Sequence, residues 1–297
     1  MVKRTSLSKS TKGNKRQVDA KRKVSMARLA DVHYLYQKSV QSSAFEIELY
    51  EDCYREINGK RKKPFTLRED FCGTALLTKD WCQSHPKRRA IGVDLCSDTL
   101  KWGINNNIKP AGASVMERIS LLNENVLDVV TEKVDIICAM NFSYCIFKTR
   151  QLLKSYFKNV LAGLKDDGLF ICDLMGGTST IDESEESHEI EGENATYIWE
   201  QASYNPIDHH TQCYIHFAFD DGSKINKAFS YSWRLWSIPE VKEILIEAGF
   251  SSVAIYWEDF IEDDDPDNEY MEGTGIYRQV TEVPQQESWL TYIVATK

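Results

Sequence analysis

The sequence predicts an α/β protein built on a doubly wound, mostly parallel, seven-stranded sheet covered by helices on both faces. Two observations carry this. From residue 64 onward short apolar runs alternate with helical segments. A stretch at 195–231 breaks that rhythm with the period-2 pattern of antiparallel strands, an insert that reads as a lid.

The elements follow in order. Residues 26–57 carry apolar side chains at helical spacing with a break near Ser42 and Ser43, which predicts two short N-terminal helices capping the fold (26–58). A basic turn at 60–63 ends at Pro64, and PFTLRED reads as the first strand, running into a loop that contains Gly73. A helix at 74–83, a strand at 89–95 and a helix at 97–108 come next, then strands at 119–126 and 134–140, a helix at 150–164 and a strand at 168–174. A polar, acidic loop (181–194) leads into the antiparallel insert (180–236 overall), with turns at Asn205-Pro206 and Asp221-Gly222. The helix at 239–248 stops at Gly249, VAIYWED is a sixth core strand, an acidic loop runs from 262 to about 275, and WLTYIVATK is the last strand.

Composition sets the boundaries. A chain of 297 residues with 42% hydrophobic and 27% charged residues folds as a globular protein, read as a single domain over 26–297. No apolar run is long enough for a bilayer, and no secretory signal follows the basic start, so a cytoplasmic protein with no membrane partner is expected. The eight cysteines show no Cys-x-x-Cys pair and no His at ligand spacing, which points to reduced thiols and no metal. Residues 1–28 hold ten Lys and Arg against one acid, leaving 26 against 44, a net −18, for the rest. The segment 1–25 reads as a disordered basic tail. It offers an arm for nucleic acid, but no aromatic residue interleaves with its charges and the acidic body disfavours a large nucleic-acid footprint.

The chemistry concentrates at LREDFCGTA (67–75), a strand that stops at a loop where Gly73 lets a ligand come close. The next strand ends in Asp94, 21 positions after Gly73, the offset at which a doubly wound fold sets a carboxylate against a ribose. A dinucleotide needs several glycines to hold its pyrophosphate; one glycine with Glu69 and Asp70 suits a phosphate-free cofactor bearing an ammonium, S-adenosyl-L-methionine.

With its continuation RAIGVDLCSDTLKWG (89–103), this stretch resembles the first two motifs of class I S-adenosylmethionine-dependent methyltransferases, a Rossmann-like fold, and in particular an uncharacterised bacterial methyltransferase family. The likeness runs from about Asp31 to the C-terminus and includes YQKSVQ (36–41), NFSYCIFKTR (141–150), YSWRLW (231–236) and GIYR (275–278). It implies a cofactor site of Glu69, Asp70, Phe71, Cys72, Gly73, Thr74, Asp94, Leu95, Asn125, Val126 and Asn141. Glu69 matches the motif's acid, Asp94 the ribose-binding acid, Leu95 packs on adenine, and Asn125-Val126 fall at the third motif. Ala75 stands where most of the superfamily has glycine, and Asn125 where many have Asp.

At the fourth strand end, Asn141 and Tyr144 resemble the ends of the Asn-Pro-Pro-Tyr motif of amino-group methyltransferases and are the catalytic candidates; both prolines are missing, so nitrogen and oxygen acceptors stay open. Tyr36, Gln37 and Gln41 from the N-terminal helices and Arg234 and Trp236 from the insert are candidate acceptor contacts, since aromatics mixed with Arg suit a substrate cage. His33, Trp199, Tyr231 and Trp233 belong to the same candidate lid. The expected activity is methyl transfer to a small molecule. A methyltransferase guided by the tail to RNA or protein, and a non-catalytic S-adenosylmethionine-binding protein, are the alternatives.

Overall fold

The protein is described by a computed structural model covering residues 24–260 and 273–297. The basic tail expected at 1–25 falls, except for its last two residues, outside the described residues, as does most of the acidic loop after residue 261.

Three helices open the fold: α1 (Met26–Leu29), α2 (Val32–Val40) and α3 (Ser43–Asn58), where the sequence suggests two. Asp31 caps α2 by accepting the N–H groups of His33 and Tyr34. The alternating unit follows as β1 (Thr66–Asp70), α4 (Leu76–Ser84), β2 (Arg89–Val93), α5 (Ser97–Gly103), α6 (Ala113–Met116), β3 (Ile119–Leu122), β4 (Val134–Ala139), α7 (Arg150–Gly163) and β5 (Leu164–Gly176). Then come β6 (Ser184–Glu189), β7 (Ala195–Asn205), β8 (His210–Phe219) and β9 (Lys224–Arg234), the helix α8 (Ile238–Ala248), and β10 (Ser252–Phe260), β11 (Gly273–Val280) and β12 (Trp289–Thr296). A capping box between Ser237 and Glu240 starts α8, and Gly249 in the left-handed region ends it.

The large sheet runs β3-β2-β1-β4-β5-β12-β10-β11. The five strands from β3 to β5 are parallel, and β12 inserts antiparallel between β5 and β10. The seven strands the sequence predicts are all in it. β11 adds an eighth at the edge, paired antiparallel with β10, over residues whose start reads as the end of an acidic loop. Because β2 and β3 lie on one side of β1 and β4 on the other, the strand order reverses at β1/β4, where an open α/β sheet forms its binding crevice.

Alternate residues feed two cores. On one face Ile137, Phe157, Val160, Val241 and Ile293 pack with α7 and α8. On the other Ile136, Tyr50, Tyr54, Trp81 and Val294 pack with α3 and α4.

The second sheet, β6-β7-β8-β9, is wholly antiparallel. Residues 181–194 read as a loop; six of them form β6, whose side chains are all exposed, so no apolar alternation betrayed it. Leu35 on α2 packs with Tyr197, Ile215 and Phe217 of this sheet. The N-terminal helices and the insert thus share a small core of their own.

Candidate active site

Two chambers meet at the carboxyl end of the parallel strands. The inner one, about 240 Å³, is lined by Glu69 to Thr74 of the β1 loop, Asp94 after β2, Met140, Asn141 and Ser143 after β4, and His33, Tyr36 and Gln41 near α2, with Thr99, Phe229 and Tyr231 completing it. The outer one, about 580 Å³, lies between the small sheet and the ends of β5, β10 and β12. Tyr36, Asn141 and Tyr231 line both and so form the neck between them.

Backbone strain marks the same place. Among the described residues six non-glycine positions have positive φ, and four of them, Phe71, Ala75, Asn141 and Phe142, sit in the loops after β1 and β4. Left-handed backbone in a bulky residue costs roughly 1 to 3 kcal/mol and persists where the surroundings enforce it. Together with Gly73 at φ +52, the β1 loop therefore keeps the conformation of a glycine-rich turn with one glycine. The Phe71 ring packs against Phe147 and Tyr156, with centroids 6.1 and 5.7 Å away.

Each acid is held differently. Asp94 accepts the N–H of Gly73 at 2.9 Å and that of Cys96 at 2.7 Å, tying the second strand end to the first loop. Glu69 is buried and accepts the Thr78 N–H at 2.8 Å and its hydroxyl; burial pushes its carboxyl up to about 7 against those two bonds. Asp70 faces the other side of β1, where Arg68 holds it in a two-pronged ion pair (2.9 and 3.0 Å) and the Tyr156 hydroxyl donates to it. Its carboxylate oxygens are thus spent on Arg68 and Tyr156, while the residue itself still lines the inner chamber.

Behind the neck, Asp173 accepts the N–H groups of Asn141 (2.7 Å) and Phe142 (2.9 Å) and pins that strained pair; burial raises its carboxyl to about 7. Glu46 on α3 is also buried, and burial, then the neighbouring Glu69, Asp173 and Asp80, push it up to about 8. Neither Asp173 nor Glu46 stands out as a ligand in the sequence. Asp173 is a lone acid in an apolar run, which is the one signal it offers, whereas Glu46 is masked by Glu48, Glu51 and Asp52 close by.

Other expected residues sit elsewhere. Gln37 does not reach the cavity; its amide donates to the Thr74 hydroxyl at 2.8 Å and fastens α2 to the β1 loop. Leu95 is 66% exposed beside Asp94, and Asn125 spends its side-chain oxygen on the Leu127 N–H, with Val126 buried next to it; none of the three lines the chamber. Tyr144 is fully buried in the core, donates to the Asp173 carbonyl at 2.8 Å and lines neither chamber. Arg234 stacks on Trp236 at 3.8 Å, pairs with Glu240 and donates to the Lys148 carbonyl, while Trp236 is buried. Both fasten β9 to α8, away from either chamber, because in β9 the residues that reach the outer chamber are Tyr231 and Trp233.

The outer chamber is walled by Trp199, Tyr231 and Trp233, whose rings lie 4.6 to 5.9 Å apart, and by Tyr197, Phe142 and Trp289. The register of β7, β8 and β9 puts Trp199, Ile215 and Phe229 in one cross-strand row, so odd-numbered aromatics face one way.

No protein-family model and no curated protein matches the chain. Solved structures do. An S-adenosylmethionine-dependent methyltransferase from Clostridium acetobutylicum superposes with a TM-score of 0.59 at 19% identity, over 89% of this chain and 97% of that one. An amino pentose methyltransferase from Micromonospora echinaspora, solved with S-adenosylmethionine bound, gives 0.62 at 12% over 89% and 96%. A sugar N-methyltransferase from Streptoalloteichus gives 0.58 at 15% over 99% and 100%. The strand order and these superpositions agree: the chain has the fold of the class I S-adenosylmethionine-dependent methyltransferases.

Proposed function

We propose that the protein is an S-adenosylmethionine-dependent methyltransferase acting on the nitrogen or oxygen of a small molecule. The observation that carries the reading is the pair of chambers: an acidic one at the strand-order reversal and an aromatic one beneath the insert, joined at Tyr36, Asn141 and Tyr231. Among the residues lining the inner chamber there is no Lys or Arg, and Glu69 and Asp94 are acids. That donor set fits a sulfonium cofactor with two ribose hydroxyls and an ammonium, and disfavours a pyrophosphate.

When bound, the cofactor supplies a methyl group activated by a positive sulfur. Asp94 is placed to accept from the ribose. Asn141, whose backbone is fixed by Asp173, presents an amide at the neck whose oxygen can accept a hydrogen bond from the acceptor's N–H or O–H and so aim its lone pair. Tyr36 and Tyr231 close the neck with aromatic rings and limit water there.

The test is calorimetric titration of S-adenosylmethionine and its demethylated product. Micromolar binding of both supports the reading. Failure of both ligands to bind would remove it and leave only the fold.

A further inference from the structure

The outer chamber is aromatic, and its formal charges are all negative. Glu186 on β6 and Glu258 on β10 line it with His188, and no Lys or Arg lines either chamber among the described residues. Glu258 is oriented from β11, accepting the Gly275 N–H at 2.8 Å and the Tyr277 hydroxyl at 3.2 Å. The rings of Trp199, Tyr231 and Trp233 present π-faces that attract cations. Asp173 and Glu46 are buried nearby, outside the chamber linings, with no ion pair among the described residues. An anionic acceptor would meet like charge at both carboxylates.

We propose that the outer chamber recognises its acceptor through a positively charged nitrogen on an apolar or aromatic scaffold, held by Glu186, Glu258 and the rings of Trp199, Tyr231 and Trp233. This rests on reading the outer chamber as the acceptor site. The recognised cation and the methylated atom are different atoms, because Glu186 and Glu258 line the outer chamber alone whereas Asn141 lines both. An ammonium held by carboxylates has no lone pair to donate. The atom at Asn141 is a second, uncharged nitrogen or oxygen. Its lone pair forms the bond to the methyl carbon, the carbon–sulfur bond breaks with its electrons left on sulfur, and the nucleophile's proton departs to solvent.

The experiment is calorimetry on the protein saturated with the demethylated cofactor, using three probes of one shape: 2-phenylethylamine, 2-phenylethanol and phenylacetate. The amine is expected to bind about tenfold tighter than the alcohol, and the carboxylate not measurably. The double substitution Glu186→Gln and Glu258→Gln should remove most of that preference while cofactor-product affinity, which also reports folding, stays unchanged. The proposal is overturned if the alcohol or carboxylate matches the amine, if the amine gives no binding while the cofactor product binds, or if the double variant keeps its preference. Loss of cofactor-product binding by the wild type would instead strike the methyltransferase reading and this inference with it.

Discussion

The carboxylate of Asp94 accepts the backbone N–H of Gly73 at 2.9 Å, so the acid that ends β2 and the loop that follows β1 form one unit. An incoming ribose would find that acid already aimed.

Asp94→Ala removes this bond and the one to Cys96 at 2.7 Å. Calorimetric affinity for the demethylated cofactor should weaken by roughly 1 to 3 kcal/mol, since the ribose hydroxyls and the part-buried Gly73 N–H lose their acceptor. Unchanged affinity would show that ribose is held elsewhere.

Gly103→Ala attacks the same loop from behind. A Cβ there would stand 2.2 Å from the Thr74 carbonyl oxygen and 2.7 Å from its carbon, a backbone contact that no rotamer relieves. Overpacking of this kind costs about 1 to 3 kcal/mol. Thermal melting should show the loss, and cofactor affinity should fall with it, because Thr74 lines the inner chamber.

Buried carboxyls set the pH response, Asp70 among them, raised by burial against the pull of Arg68. Glu69 and Asp173 are raised to about 7 and Glu46 to about 8. Each holds its proton more tightly folded than unfolded, so the stability it contributes is complete below the ordinary carboxylate range and is lost as pH rises through 7 to 8. Glu46→Gln copies the protonated form. Its melting temperature should exceed the wild type's at pH 9 and approach it at pH 6; equal curves at both values would mean that Glu46 ionises freely.

Tyr144→Phe and Asn141→Ala separate core from neck. Tyr144→Phe deletes a buried hydroxyl bonded to the Asp173 carbonyl and should cost about 1 kcal/mol of stability. Asn141→Ala should lower kcat with cofactor affinity little changed, once an acceptor is in hand. A Tyr144→Phe variant of full stability and no turnover would reverse these roles.

Much of this was legible. Asp94 and Asn141 appear as polar residues where the apolar runs of β2 and β4 stop, whereas Glu69 lies inside the largely polar strand TLRED and is legible through the motif it belongs to. The insert's turns at Asn205-Pro206 and Asp221-Gly222 were visible for the same local reason. What escaped depends on long-range contact. Asp70 looks as available as Glu69 until the pleat turns it toward Arg68. Arg234 and Trp236 look like a substrate cage until α8 packs on them. Polar β6 is a strand through its pairing with β7 alone.

Phe71 gives the β1 loop a kinetic character. A loop of glycines would breathe, whereas this one is bolted by an aromatic ring to Phe147 and Tyr156. The opposite wall of the chamber is the α2 segment with His33 and Tyr36, a separate element fastened to that loop by the Gln37–Thr74 bond. Amide hydrogens of residues 32–40 should exchange with solvent faster than those of 70–75, and the rate at which spent cofactor leaves should follow the former.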